Sequence, residues 1–123
     1  AKQNNMSHVQ LKNKAGQFVQ PSQESFAAAA DVDWSKVPGF SLVLTDQPAE
    51  KAWPLASATF ILMHKKADDA AKAKAALSFF DWAYQNGDEA AAKLDYVPLP
   101  ANVKDLVRSE WKKITDANGA AVF

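Results

Sequence analysis

The feature that most constrains the fold is the apolar run Phe60–Met63 near the middle of the chain. It follows the turn-like pair Trp53-Pro54 and is closed by the basic residues His64–Lys66. A short continuous apolar run bounded in this way predicts a strand buried on both faces, here from about Ala56 to Lys65. Such a strand needs a neighbour on each side, yet most of the sequence that follows is helical in pattern. We therefore expect part of its sheet to come from sequence outside this chain, or from a second copy of it.

The composition is that of a globular domain. Of 123 residues, 48% are hydrophobic and 23% are charged, and the 14 basic and 14 acidic side chains cancel. A neutral chain without a basic stripe offers no electrostatic case for binding nucleic acid or an anionic membrane surface. The absence of cysteine excludes disulfides, thiolate metal sites and cysteine nucleophiles.

The first half of the chain predicts a small hairpin, a helix and a short strand. The alternating segment Ser7–Gln20, interrupted by the turn residues Asn13–Gly16, predicts the hairpin. Ser22 is the expected N-cap of a helix that continues through the alanine run Ala27–Ala30. Ser41–Thr45 is a candidate short strand.

The second half predicts helices. One runs from Asp68 to the stop signal Asn86-Gly87, and Leu77, Phe80 and Tyr84 share one of its faces. Phe79 and Trp82 broaden that face, so we expect burial of this helix on more than one side.

Two further helices are expected on either side of a proline-rich stretch. A short helix follows from the N-cap candidate Asp88 to about Leu94, and Asp95–Pro100 is then extended because each proline disfavours helix before it. Pro100 opens a last helix that ends at Asn118-Gly119. Its apolar face comprises Val103, Leu106, Val107, Trp111 and Ile114.

The titratable residues fit structural roles better than chemical ones. His8 and His64 lie in no motif with metal-ligand spacing. The acidic pairs Asp68-Asp69 and Asp88-Glu89 stand at helix starts, where negative charge interacts favourably with the helix dipole. Helix capping therefore explains them better than acid–base catalysis. Asp81 and Asp95 are lone acids with no basic partner fixed by spacing.

No anion-binding or nucleophile motif is present. The sequence has no GxSxG, GxGxxG or GxxxxGK[ST] pattern. Thr45, Ser57 and Thr59 can donate to an anion, but beside a buried strand they more often satisfy backbone groups. Arg108, the single arginine, is expected on a solvated helix face.

The four tryptophans are expected to serve packing before ligand stacking. Trp82 and Trp111 lie on or beside apolar helix faces and are predicted to be core residues. Trp34 and Trp53 lie in turn-rich segments and are expected to be more open.

Four stretches resemble one protein family. AWPLASATFILMHKK (Ala52–Lys66), LSFFDWAYQNG (Leu77–Gly87), LDYVPLP (Leu94–Pro100) and VKDLVRSEWKKI (Val103–Ile114) are similar to the C-terminal part of the periplasmic phosphate-binding proteins of bacterial high-affinity phosphate ABC transporters. The resemblance covers essentially the whole chain.

The resemblance implies an α/β fold class: a C-terminal fragment of a two-lobe, type II Venus-flytrap binding protein, helix-rich with few strands. It implies that residues 1–56 end the second lobe and that residues 57–123 return to complete the first lobe. The family protein captures inorganic phosphate in the periplasm and delivers it to the membrane permease of the transporter, and it is neither an enzyme nor dependent on a cofactor.

The family's phosphate ligands lie in its N-terminal and middle parts, so the resemblance assigns no phosphate-binding, catalytic or metal-binding residue to this chain. We therefore expect the chain to act as scaffold and to bind phosphate weakly or not at all by itself. Phosphate would be held through the part of the protein that this chain lacks.

Three other interpretations stay open. The same fold can take a different oxyanion, and only the ligand-contacting loops of the N-terminal part distinguish that case. The chain can instead be an independent structural or protein-interaction domain without anion binding, marked by two-state unfolding of residues 1–123. An enzyme has the least support. If the fragment exists alone, its exposed sheet edge is expected to drive self-association.

Overall fold

The computed structural model describes residues 4–123, in which four α-helices and a single two-stranded hairpin are the main elements. This confirms the prediction of a helix-rich chain with few strands. The chain divides into two compact units. The first comprises the residues up to Thr59 together with Ala91–Pro100, and the second comprises Phe60–Ala90 and Ala101–Phe123.

The predicted hairpin opens the first unit. Strand β1 is Leu11–Lys12 and strand β2 is Phe18–Val19, paired antiparallel with Leu11 opposite Val19. Gly16 closes the turn at φ 84°, in the left-handed region that glycine enters without steric cost, and its N–H donates to the Asn13 carbonyl at 2.9 Å.

Helix α1, Gln23–Ala30, begins at the predicted N-cap. The Ser22 hydroxyl accepts from the Ser25 N–H at 3.2 Å, and the Ser25 hydroxyl accepts in return from the Ser22 N–H at 3.0 Å. This reciprocal capping box satisfies backbone donors that a helix start leaves unpaired.

Asn13 ties the hairpin of the first unit to a later loop. Its buried side-chain amide donates to the carbonyls of Glu50 at 2.7 Å and Ala52 at 3.2 Å, while its oxygen accepts from the Gln17 N–H at 3.0 Å. Sequence reasoning assigned Asn13 to a turn and missed this long-range role.

Helix α2, Ala70–Asn86, lies in the second unit, and its bounds agree with the prediction. The Asp69 carboxylate caps it by accepting from the Lys72 N–H at 3.0 Å, and Gly87 follows its last residue. Leu77 is fully buried, and Phe80 and Tyr84 pack against the same core cluster, which confirms the predicted face.

Helix α3, Asp88–Lys93, and helix α4, Ala101–Trp111, complete the regular structure. Asp88 is the first residue inside α3, whereas we predicted it as the cap before it. Residues 96–100 form no helix or strand, as the prolines require, and α4 begins directly after Pro100.

The last helix is shorter than predicted, because it ends at Trp111 and not at Asn118-Gly119. Beyond Trp111, the backbone forms hydrogen bonds with distant parts of the chain instead of continuing the helix. The Thr115 N–H donates to the Lys65 carbonyl at 3.0 Å, and the Thr115 carbonyl accepts from the Ala67 N–H at 2.8 Å. Val122 then donates to the Ile114 carbonyl at 3.0 Å and is buried in the core cluster.

Both further strand predictions are wrong for the described chain. Ser41–Thr45 forms no strand, and its Val43 side chain is exposed while Leu44 is buried. The segment 56–64 is also without secondary structure. A strand exists only through hydrogen bonds to a neighbour, and residues 4–123 place no strand beside either segment.

Across residues 4–123, none of the helices combines the length and the apolar character that crossing a membrane requires.

Candidate functional site

The densest polar cluster of the second unit lies between α2 and α4. Arg108 on α4 donates from Nε to the Asp81 carboxylate at 2.7 Å and from Nη1 to the Asp105 carboxylate at 3.1 Å. The hydrogen bond to Asp81 is the largest cause that raises the pKa of the Arg108 guanidinium above its ordinary value. A guanidinium held by two carboxylates is not presented to an external anion.

Lys104 is a second cation of this cluster, and it is buried. Its Nζ donates to both Asp88 carboxylate oxygens, at 2.6 and 2.7 Å, and to the Tyr84 carbonyl at 3.1 Å. Only 10% of its side chain is exposed. A buried ammonium persists only with such partners, so this link fixes α4 to the C-terminal end of α2.

Tyr84 supplies the aromatic centre of the cluster. Its ring lies 6.0 Å from the Lys104 ammonium and 5.8 Å from the Arg108 guanidinium carbon, within the range of cation–π attraction. The ring also stacks on Trp111, with centroids 5.6 Å apart and planes 14° from parallel. Burial raises the pKa of the Tyr84 phenol, and the nearby Arg108 charge opposes that shift.

The cluster is therefore a structural joint between α2 and α4 in which both cations are paired with carboxylates. Its two cations, Lys104 and Arg108, face three carboxylates, Asp81, Asp88 and Asp105. Sequence reasoning took Asp81 as a lone acid and did not single out Lys104. The available signal was the spacing of Lys104, Arg108 and Trp111, which places all three on one side of a helix.

The predicted candidate residues are not gathered into one site. His8 lies in an exposed surface depression with Asn5, Met6 and Ser7, and His64 is exposed elsewhere in the chain. Within residues 4–123, no three histidine, aspartate or glutamate side chains stand close enough to hold a metal ion.

The acidic pairs serve the helices they precede or open. Asp69 caps α2, and Asp88 and Glu89 both lie in the first turn of α3. Asp88 has the additional role of receiving Lys104, which the sequence did not indicate.

The hydroxyl candidates Thr45, Ser57 and Thr59 are exposed and lie outside helices and strands. Arg108 was predicted on a solvated face, but it is only partly exposed and bridges α2 and α4.

The tryptophans reverse the prediction in three of four cases. Trp34 is 4% exposed and Trp53 is 9% exposed, although both were expected to be open. Trp111 is buried as predicted. Trp82 is 58% exposed and stacks on the equally exposed Phe79, with ring centroids 6.2 Å apart. Burial of α2 therefore covers one side only.

The apolar residues Phe60–Met63 begin the second unit and are largely open to solvent. Phe60, Ile61 and Leu62 are 50%, 62% and 93% exposed, while Met63 packs on the core cluster. Residues 56–64 make no backbone hydrogen bond to another part of the described chain. An apolar stretch that is exposed and unpaired in this way marks an interaction surface.

Comparison with known proteins finds relatives over nearly the whole chain. It is 49% identical over 113 residues to the phosphate-binding protein PstS of Haemophilus influenzae, covering 91% of this chain and 34% of that protein. The Pasteurella multocida PstS is 49% identical over the full chain and 36% of its own length. The Xylella fastidiosa PstS is 51% identical over 90% of this chain and 31% of its own length.

The chain thus spans about a third of the length of these relatives. A scan against models of known protein families finds no match.

Proposed function

We propose that the chain belongs to the family of the phosphate-binding protein PstS and is a scaffold segment of a phosphate-capture protein. The observation that carries the proposal is sequence identity of about half over nine-tenths or more of the chain. The whole protein would bind inorganic phosphate in the periplasm and pass it to the membrane permease of an ABC transporter. It would act by binding and release and not as an enzyme.

The proposed fold of the whole protein is a two-lobe Venus flytrap. In it, residues 1–56 would end the second lobe and residues 57–123 would complete the first. The unpaired segment 56–64, with Phe60, Ile61 and Leu62 exposed, supports this arrangement, because an apolar run of this kind is expected inside a sheet whose other strands come from elsewhere in the protein.

The phosphate ligands are proposed to lie outside this chain. Binding of a desolvated phosphate needs several converging donors, such as helix-start amides, and a cationic partner. The single arginine is committed to Asp81 and Asp105, and the buried Lys104 is committed to Asp88. These engagements support a scaffold role for the α2–α4 joint.

A titration of the 123-residue chain with inorganic phosphate, followed by calorimetry, tests this proposal. We expect no heat of binding in the micromolar range, whereas the complete Haemophilus influenzae relative in the same buffer should bind. Sub-micromolar binding by the chain alone would overturn the scaffold role.

A chimera tests whether this chain can serve as the matching segment of a functional phosphate-binding protein. Replacing the matched third of the Haemophilus influenzae relative with this chain should give a folded protein that retains phosphate binding. In that chimera, Arg108→Gln should leave the phosphate dissociation constant nearly unchanged, because the guanidinium serves the joint. A folded chimera that does not bind phosphate would contradict the proposal.

The alternative of an independent structural or protein-interaction domain is favoured by one observation. Each unit buries apolar side chains of its own, among them Trp34 and Trp53 in the first and the cluster around Leu77 and Trp111 in the second. A single cooperative unfolding transition of the isolated chain, together with no phosphate binding by the chimera, would select this alternative.

A further inference from the structure

The exposed segment carries the properties of a strand without a partner. Residues 58–63, Ala-Thr-Phe-Ile-Leu-Met, contain no charge, no proline and no glycine, and β-branched and aromatic side chains stand at their centre. Their backbone N–H and C=O groups make no backbone hydrogen bond within the described chain. Met63 anchors the segment to the core of the second unit, so one end of it is held in place.

The charges around this segment favour one direction of self-pairing. Lys65 and Lys66 stand at one end only, while Ser57 and Ala58 at the other end are uncharged. Parallel pairing in register would place each lysine beside its own copy, and like charges directly opposite each other are destabilising. Antiparallel pairing about a two-fold axis through Ile61 places Ile61 opposite its own copy and Lys65 opposite the uncharged Ser57.

We propose that the 123-residue chain by itself forms a weak dimer through antiparallel pairing of residues 57–65 from two copies. This inference concerns the isolated chain and does not rest on the proposed phosphate function. The pairing satisfies backbone groups that are otherwise left to water and covers Phe60, Ile61 and Leu62. The chain has a formal net charge of zero, so no net repulsion opposes the approach of a second copy.

The antiparallel arrangement also limits assembly. A two-fold axis makes both copies use the same surface, which favours a closed pair over an open chain of copies. Lys65 and Lys66 at the end of the segment act as charged gatekeepers against further in-register stacking.

Sedimentation equilibrium of the full 123-residue chain over a range of concentrations tests the dimer. We expect Leu62→Lys to weaken dimerisation by about tenfold or more, since it places a charge in the pairing segment. Leu55→Lys is the matched control, because Leu55 is also exposed, at 65%, and lies outside the segment. It should leave the dissociation constant nearly unchanged. Because both leucines are exposed, neither change should prevent folding.

A spin label tests the direction of pairing, and the absence of cysteine makes a single site available. With Ser57→Cys labelled, antiparallel pairing separates the two labels by about 27 Å, from about eight residues of strand. Parallel pairing would bring the labels to within about 5 Å of each other.

Four outcomes would overturn the proposal. A wild-type chain that stays monomeric at high concentration removes the dimer. If the dimer persists in Leu62→Lys but dissociates in Trp82→Gln, the interface is formed by the Phe79–Trp82 pair and not by the proposed segment. A label separation near 5 Å excludes the antiparallel arrangement. A monomer that instead floats with phosphatidylcholine vesicles shows that the segment serves a lipid surface.

Discussion

Two apolar stretches of the second unit have opposite fates. Leu77–Tyr84 lies within α2, where Leu77 is fully buried and Tyr84 stacks on Trp111. Phe60–Met63 is as apolar, but three of its four side chains are exposed and it forms no regular structure. The difference lies in the backbone and not in the hydrophobicity of the side chains.

A helix satisfies its backbone groups internally, whereas a strand relies on neighbours. Helix α2 needs only one apolar surface to dock against, and Trp111 of α4 together with Ile114 and Val122 supplies it. The segment 56–64 needs a sheet, and the described chain provides no strand beside it. Helices therefore form from a chain's own residues more readily than strands that lack a neighbour.

The largest expected effect comes from truncating one leucine in each stretch. Leu77→Ala should lower the free energy of unfolding by about 2–5 kcal/mol, because it leaves a cavity in a closed core. Leu62→Ala should change it by less than about 0.5 kcal/mol, because Leu62 is 93% exposed. Urea denaturation followed by circular dichroism, at a concentration where the chain is monomeric, measures both. Equal losses would erase the contrast.

A smaller loss of stability is expected when the polar joint that anchors α2 is disrupted. The open segment Phe60–Met63 has no such joint. Lys104→Met should destabilise the chain by about 1–3 kcal/mol, since it leaves Asp88 and the Tyr84 carbonyl without their donor. The control is Lys113→Met, which removes an exposed pair with Glu110 and should cost about 0–1 kcal/mol. If the two variants unfold at the same urea concentration, the joint does not anchor α2.

The smallest expected effect is a pH dependence at the Tyr84 ring. Burial raises the pKa of this phenol above its ordinary value of 10.0, so the folded chain favours the neutral form. The unfolded chain loses this proton first as the pH rises. The stability contributed by Tyr84 is therefore fully present below pH 10.0 and is lost as the pH rises through the higher pKa of the folded state.

Tyrosinate absorbance of a Tyr96→Phe variant isolates this titration, because the chain has two tyrosines. The folded variant should titrate at higher pH than the same variant in denaturant. Coincident curves for the folded and denatured chains would show that the ring is not buried against Trp111.

Local signals were enough for the helices and the hairpin. Ser22 as a cap, Gly16 at a left-handed turn and Asn86-Gly87 as a stop all act through neighbouring residues, and each is found where the sequence indicates. The end of α4 was missed because Thr115 pairs with the distant 65–67 segment, which no local pattern reveals.

The candidate site was predictable only in part. Capping by Asp69 follows from its position before a helix, but the Lys104–Asp88 link joins residues sixteen apart on different helices. Likewise, Trp34 and Trp53 lie in turn-rich sequence and are nonetheless buried, since burial depends on what packs over a turn.

The sequence by itself determined the helical periodicity, the caps, the neutral charge and the resemblance to one protein family, since these depend on residue identity and short spacing. Only the tertiary structure decided which aromatic side chains are buried, where α4 ends and which cations are paired. It also left Phe60–Leu62 without a partner. The physical reason is that burying an apolar side chain is favourable wherever a packing partner exists, and contacts between distant parts of the chain decide where such partners lie.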